Sequence, residues 1–254
     1  MNKLYTVTNI SIIETLKKRG ITLLYPLKSY CTGYKLEFEI DEIDDFVLVN
    51  RLLNDEELDN LKRILKKSNV KGIVFDDLGV LDVVKDMNIT KILLLDHLSN
   101  SSLSVNYYLD YVDSVVVSSD LTREEIEYIV KNVKKKVCVL VFGLKGLMYS
   151  RRRLLFNYQK HYNLEKKDKI MTEIENKKFM AVQNEYGTKF YAYPYYEALS
   201  FLILPNILYA WYDACFLSDE EILSVVLDGN VQGIDTQKLF LDQKTIYKVG
   251  DIDD

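Results

Sequence analysis

The chain has two imidazoles, His97 and His161, so reactions that need a ring nitrogen can be tested against it at once. It has no H-E-x-x-H for a zinc protease, no G-x-S-x-G elbow, no phosphate-binding P-loop and no G-x-G-x-x-G. Asp96-His97 directly follows the apolar run Lys91–Leu95. At the C-terminal end of a parallel strand, His97 could act as acid, base or hydrogen-bond donor, or be a satisfied structural residue. Asp76-Asp77 ends the preceding run, Gly72–Phe75, in the same way. Adjacent carboxylates there suit a metal ion or, preferably, a helix cap, and no metal centre is expected. Cys31, Cys138 and Cys215 are scattered and match no C-x-x-C spacing, so neither a disulfide framework nor a zinc ribbon is written here.

The strongest local signal runs from Phe142 to Tyr158, FGLKGLMYSRRRLLFNY. Three consecutive guanidinium groups, Arg151, Arg152 and Arg153, could hold a carboxylate or phosphate in bidentate fashion, with Asn157 and Tyr158 alongside. The expected geometry has Arg152 lining a pocket beside Tyr149 and within reach of His97, with Arg151 and Arg153 turned outward. Ser150 is a candidate nucleophile, although nothing in the local pattern supplies its base. The catalytic candidates are therefore His97, Tyr149 and Ser150.

These residues need a scaffold, and β-branched runs followed by amphipathic stretches supply one. Strands are expected at Leu4–Val7, Thr22–Tyr25, Phe46–Asn50, Gly72–Phe75, Lys91–Leu95, Ser114–Val117 and Val137–Phe142. Asn54 before Asp55-Glu56-Glu57, Thr122 with Glu125, and Ser218 with Glu221 carry the spacing of helix N-termini. The rhythm fails after residue 143. A basic loop or helix leads to Lys178–Val182 and Lys189–Tyr193, a hairpin around Asn184-Glu185-Tyr186-Gly187. Leu199–Leu204, a strand at Ala214–Leu217 and a helix from Asp219 to Leu227 restore α/β texture. The fold class is α/β, a TIM-like (β/α) barrel imperfect in its C-terminal third, with an open doubly wound sheet as the alternative. Residues 1–254 are read as one barrel-like domain with a basic insertion and hairpin at about 144–193.

With 254 residues, 48% hydrophobic and 28% charged, the chain can bury a full core. It shows neither a membrane span nor a leader pattern, and a cytoplasmic location is expected. The net charge of −5 conceals an asymmetry. Lys131 to Lys178 holds fourteen Lys or Arg against four acids, Glu165, Asp168, Glu173 and Glu175. Such a segment is either an attractor for an anionic partner or a solvated lysine-rich surface.

Tyr149, Ser150, Arg152, Leu154, Leu155, Asn157 and Tyr158 resemble the signature of peptidase family U32, in which a strand ends in Gly and leads to Cys, then Tyr-Ser-Gly-Arg-Cys and Leu-Leu. Asn106, Val115–Ser118 and Asp120–Ile126 are similar to a second stretch of the family, and Leu239-Phe240 with Thr245–Val249 to its close. The resemblance implies a TIM-like barrel. Some members were named collagenase-like peptidases, and others hydroxylate tRNA, rRNA or a quinone precursor with prephenate and a four-iron cluster held by four Cys. It also adds Asn106 to the anion-binding candidates. Gly146 and Arg153 stand where two signature cysteines belong, so no 4Fe-4S cluster and no other cofactor is expected. The expected function is an RNA-binding or partner subunit in prephenate-dependent RNA hydroxylation. Its expected partners are a cysteine-bearing paralogue, RNA, and prephenate or another anionic small molecule. A collagenase-like peptidase and a non-catalytic anion-binding barrel are the alternatives.

Overall fold

The structure, a computed structural model, describes residues 1–94 and 99–243. Seven strands come first: β1 (Asn2–Thr6), β2 (Thr22–Pro26), β3 (Phe46–Val49), β4 (Gly72–Phe75), β5 (Thr90–Leu94), β6 (Ser114–Val117) and β7 (Val137–Gly143). The chain then makes β8 (Gly146–Ser150), β9 (Lys169–Ile174), β10 (Lys177–Asn184), β11 (Gly187–Tyr193) and the short β12 (Tyr195–Glu197) before β13 (Ile207–Asp213). β13 lies parallel to both β1 and β7, and this double pairing closes an eight-stranded parallel barrel. The open-sheet alternative is thereby excluded.

Every residue of β3, β4, β6 and β7 is buried, as expected of strands covered on one side by the barrel interior and on the other by helices. The covering helices are α1 (Ile13–Lys18), α2 (Asp55–Leu65), α3 (Gly79–Val84), α4 (Ser102–Tyr108) and α5 (Arg123–Lys131), with α6 (Leu154–His161) and α7 (Asp219–Leu223) following. Asn54 with Glu57, Thr122 with Glu125, and Ser218 with Glu221 each form a reciprocal capping box at the anticipated helix starts.

The last third differs from the sequence reading. The closing strand is Ile207–Asp213, and the expected strand Ala214–Leu217 is the loop after it. Leu199–Ile203 is a 3-10 helix. The expected hairpin forms with a two-residue tip, Asn184 pairing Gly187. It belongs to a four-stranded antiparallel sheet in the order β8-β11-β10-β9.

This second sheet is a cap on the barrel's C-terminal end, held there by the loop after β2. Tyr191 Oη donates to the Gly33 carbonyl at 3.1 Å, and Asn184 Nδ2 donates to the Cys31 carbonyl at 2.9 Å. Gly33, at φ +96°, adopts a backbone conformation that β-carbon-bearing residues avoid, and a Cβ there would collide with the Tyr191 hydroxyl. Arg51, buried just past β3, pins the hairpin tip. Its guanidinium stacks 4.5 Å from the Tyr186 ring centre while Nη2 pairs with Glu57 Oε1 at 2.6 Å.

Candidate functional site at the barrel mouth

The C-terminal ends of the barrel strands and the underside of the cap enclose a cavity of about 360 Å³. Asp76, Trp211 and Asp213 come from the barrel, Tyr149, Lys189 and Tyr191 from the cap, and Lys145 from the link between them. In parallel barrels this end is where loops bring side chains from several strands together.

Asp213 ends β13 and is buried. Tyr34 Oη donates to its Oδ2 at 3.1 Å, and the Cys215 thiol donates to Oδ1 at 3.3 Å. Burial pushes its carboxyl above the ordinary 3.8, while the Lys189 ammonium and the surrounding donors oppose that shift. Asp213 pairs with Gly143 across the closing seam. A Cβ at Gly143 would stand 2.6 Å from the Asp213 carbonyl oxygen, so the close approach of β7 to β13 at this point requires glycine. Lys145 is 1% exposed, with Nζ 3.4 Å from Asp120 Oδ2. The mouth thus combines two ammonium groups and two carboxylates with aromatic walls, a composition suited to a small ligand bearing both an anionic group and an apolar body.

The other candidates lie in varied surroundings. Tyr149 lines the mouth and donates from Oη to the Tyr186 carbonyl at 3.2 Å; its pKa is raised first by burial, with Arg51 and Arg151 acting in the other direction. Ser150 Oγ accepts from the Arg152 N–H at 3.2 Å, a turn contact. Arg151, Arg152 and Arg153 are all exposed in the turn between β8 and α6. Arg152, expected in the mouth, is exposed and is not among the residues that line it, whereas Arg153, expected to turn outward, lines a second, larger cleft. Asn157 and Tyr158 occupy the exposed face of α6.

Asn106 belongs to the other end of the molecule. Its Nδ2 donates to the Asn132 carbonyl at 3.1 Å and its Oδ1 accepts from the Lys134 N–H at 2.8 Å, tying α4 to the segment that enters β7. Asp77 is a cap, accepting from the Leu53 and Gly79 N–H groups at 2.7 Å each, while Asp76 faces the mouth. His97 lies outside the described residues, and His161 is exposed at the end of α6.

The basic segment is not one surface. Lys134, which pairs with Asp110, and Lys135, which donates to the Val112 carbonyl at 3.0 Å, precede β7, whereas Arg151–Lys178 follow its far end, roughly 20 Å away at strand rise. The concentrated charge is that of the cap region: residues 144–193 carry eleven Lys or Arg against five acids.

The family model described as peptidase family U32 matches residues 41–168, half of the chain. The chain belongs to peptidase family U32. No curated protein and no solved structure matches it. Against the U32 signature, the donors for an iron–sulfur cluster fit poorly. A Cβ on Gly146 would meet the end of the Lys189 side chain, 3.3 Å from Cε and 3.8 Å from Nζ, so a lysine of the cap packs beside the position of the first signature thiol. Arg153 holds the second position at the surface. Cys31, Cys138 and Cys215 are buried, and burial raises each thiol's pKa, that of Cys138 to about 12, which disfavours the thiolate that ligates iron. Among the described residues, no three His, Cys, Asp or Glu side chains converge on a metal position, and no helix is long and apolar enough to cross a membrane.

Sequence reasoning missed Lys145, Lys189, Asp213 and Arg51. A visible signal did exist for Asp213, a lone carboxylate closing the apolar run Ile207–Tyr212. Lys145, set between Gly143 and Gly146 just past a buried strand, was the other.

Proposed function

We propose that this U32 protein works without an iron–sulfur cluster, takes an anionic small molecule such as prephenate at the barrel mouth, and binds RNA across its basic cap. In this reading it is the RNA-binding or partner subunit of an RNA-hydroxylating pair whose cysteine-bearing member supplies the redox chemistry. The observation that carries the proposal is that Gly146 and Arg153 stand where the signature has thiols, with Lys189 of the cap lining the mouth beside Gly146. The same exchange turns a metal-ligand position into an anion-attracting one.

Peptide hydrolysis has weaker support, since the Ser150 hydroxyl is engaged at a turn and the Tyr149 hydroxyl with a backbone carbonyl. The non-catalytic anion-binding barrel is favoured by the pairing of Lys145 and Lys189 around the mouth.

The test is anaerobic reconstitution with iron and sulfide, coupled to filter binding of single-stranded RNA before and after. The protein should stay colourless and bind RNA equally well in both states. Stoichiometric iron and sulfide, or affinity that arises only after reconstitution, would contradict the proposal.

A further inference from the structure

The larger cleft lies between the barrel rim and the cap, beside the mouth, and has a volume of about 900 Å³. That is within the roughly 300–1,000 Å³ typical of small-molecule sites. Two phenyl rings line it, Phe156 from α6 and Phe216 from the loop after β13. Each carries a cation: the Arg153 guanidinium is 4.8 Å from the Phe156 ring centre, and Lys169 Nζ is 4.4 Å from that of Phe216. Lys166 lines the cleft as well. Among its acceptors is Glu37, held by Asn184 Nδ2 at 2.9 Å, with its carboxyl pKa raised by burial.

Phe216 has φ +68°, a left-handed backbone that strains a residue bearing an aromatic side chain. A glycine would sit there without strain, yet the position carries a phenyl ring that opens onto the cleft. A ring kept at this backbone position, together with the paired cations, points to a ligand having both a flat face and an anionic group.

We infer that the cleft between cap and barrel rim binds a single unstacked nucleotide. The base lies on the Phe156 or Phe216 ring, Arg153, Lys166 and Lys169 hold the phosphate, and Glu37 accepts from an amino group on the base edge. The inference deepens the RNA reading above and rests on it for the source of the nucleotide. A free nucleoside monophosphate presents the same chemistry.

The probes are adenosine 5′-monophosphate, adenosine, inorganic phosphate and a single-stranded RNA oligomer, titrated against the full-length protein and two variants. Phe216→Gly removes the ring while suiting the backbone, and its melting temperature checks that the fold survives the loss of the ring's packing against the core; Arg153→Ala is the second, surface variant. Adenosine monophosphate should bind wild type one to one, and each variant should weaken it at least tenfold. Adenosine and phosphate alone should each bind at least tenfold more weakly than the nucleotide. RNA bound equally by wild type and Phe216→Gly, with no nucleotide binding, overturns the cleft assignment and leaves the RNA reading standing. Nucleotide binding that both variants lose, in a protein that does not bind RNA, sustains the cleft as a free-nucleotide site and removes the RNA reading. Binding of neither overturns both.

Discussion

Replacing Asp213 by Ala should lower the stability of the protein by about 2–4 kcal/mol, because buried donors then lose their acceptor. Tyr34 Oη and the Cys215 thiol both donate to this carboxylate from buried positions, and Lys189 faces it across the mouth. For a chain of this size that corresponds to a fall in melting temperature of about 4–16 °C. Asp213→Asn keeps an acceptor oxygen and should cost less than half as much. The pH dependence separates the two effects further. Burial raises the folded-state pKa above 3.8, so between the unfolded and folded values the native state holds a proton that the unfolded chain has released. The stability due to this proton is fully present below the unfolded pKa and is lost as pH rises through the folded one. In Asp213→Asn that slope should vanish from denaturant-unfolding curves taken across the acidic range. An unchanged slope, or an Ala variant as stable as wild type, would show that Asp213 is not the buried acid of the mouth.

The barrel was legible because its strands are buried on both faces, which concentrates Val, Ile and Leu into short runs such as Phe46–Val49 and Ser114–Val117. Capping boxes were legible because their chemistry is local. β13 was harder to read: Tyr209-Ala210-Trp211-Tyr212 lacks the β-branched pattern, and only pairing with β1 and β7 fixes it as a strand. β9 was illegible for a different reason. Among the described residues it pairs only with β10, and its residues are mostly exposed, so Lys169–Ile174 carries little hydrophobic alternation.

The site was less legible than the fold. A lysine in a sequence reads as surface, yet Lys145 is buried and Lys189 reaches the mouth through a cap strand distant in sequence from the barrel strands it faces. Three adjacent arginines read as lining the mouth, but none of them does, and it is Arg153 that lines the neighbouring larger cleft. The apparent basic segment was a product of sequence adjacency: β7 runs through it and delivers its two parts to opposite ends of the barrel.

That separation defines the decisive comparison. Arg151, Arg153 and Lys166 belong to the basic cap, whereas Lys134 and Lys135 are engaged with Asp110 and the Val112 carbonyl at the other end. Cations that contact phosphate release counterions, so affinity should fall steeply with salt, and reversing three of them should cost about 10²-fold or more at moderate ionic strength. Single-stranded RNA should therefore bind wild type and Lys134→Glu/Lys135→Glu/Lys136→Glu within about threefold of each other across a salt series. Arg151→Glu/Arg153→Glu/Lys166→Glu should lose about 10²-fold and show a shallower salt slope. Equal binding by the two triple variants, or a loss that falls on the Lys134–Lys136 variant instead, would show that the cap is not the RNA-binding surface.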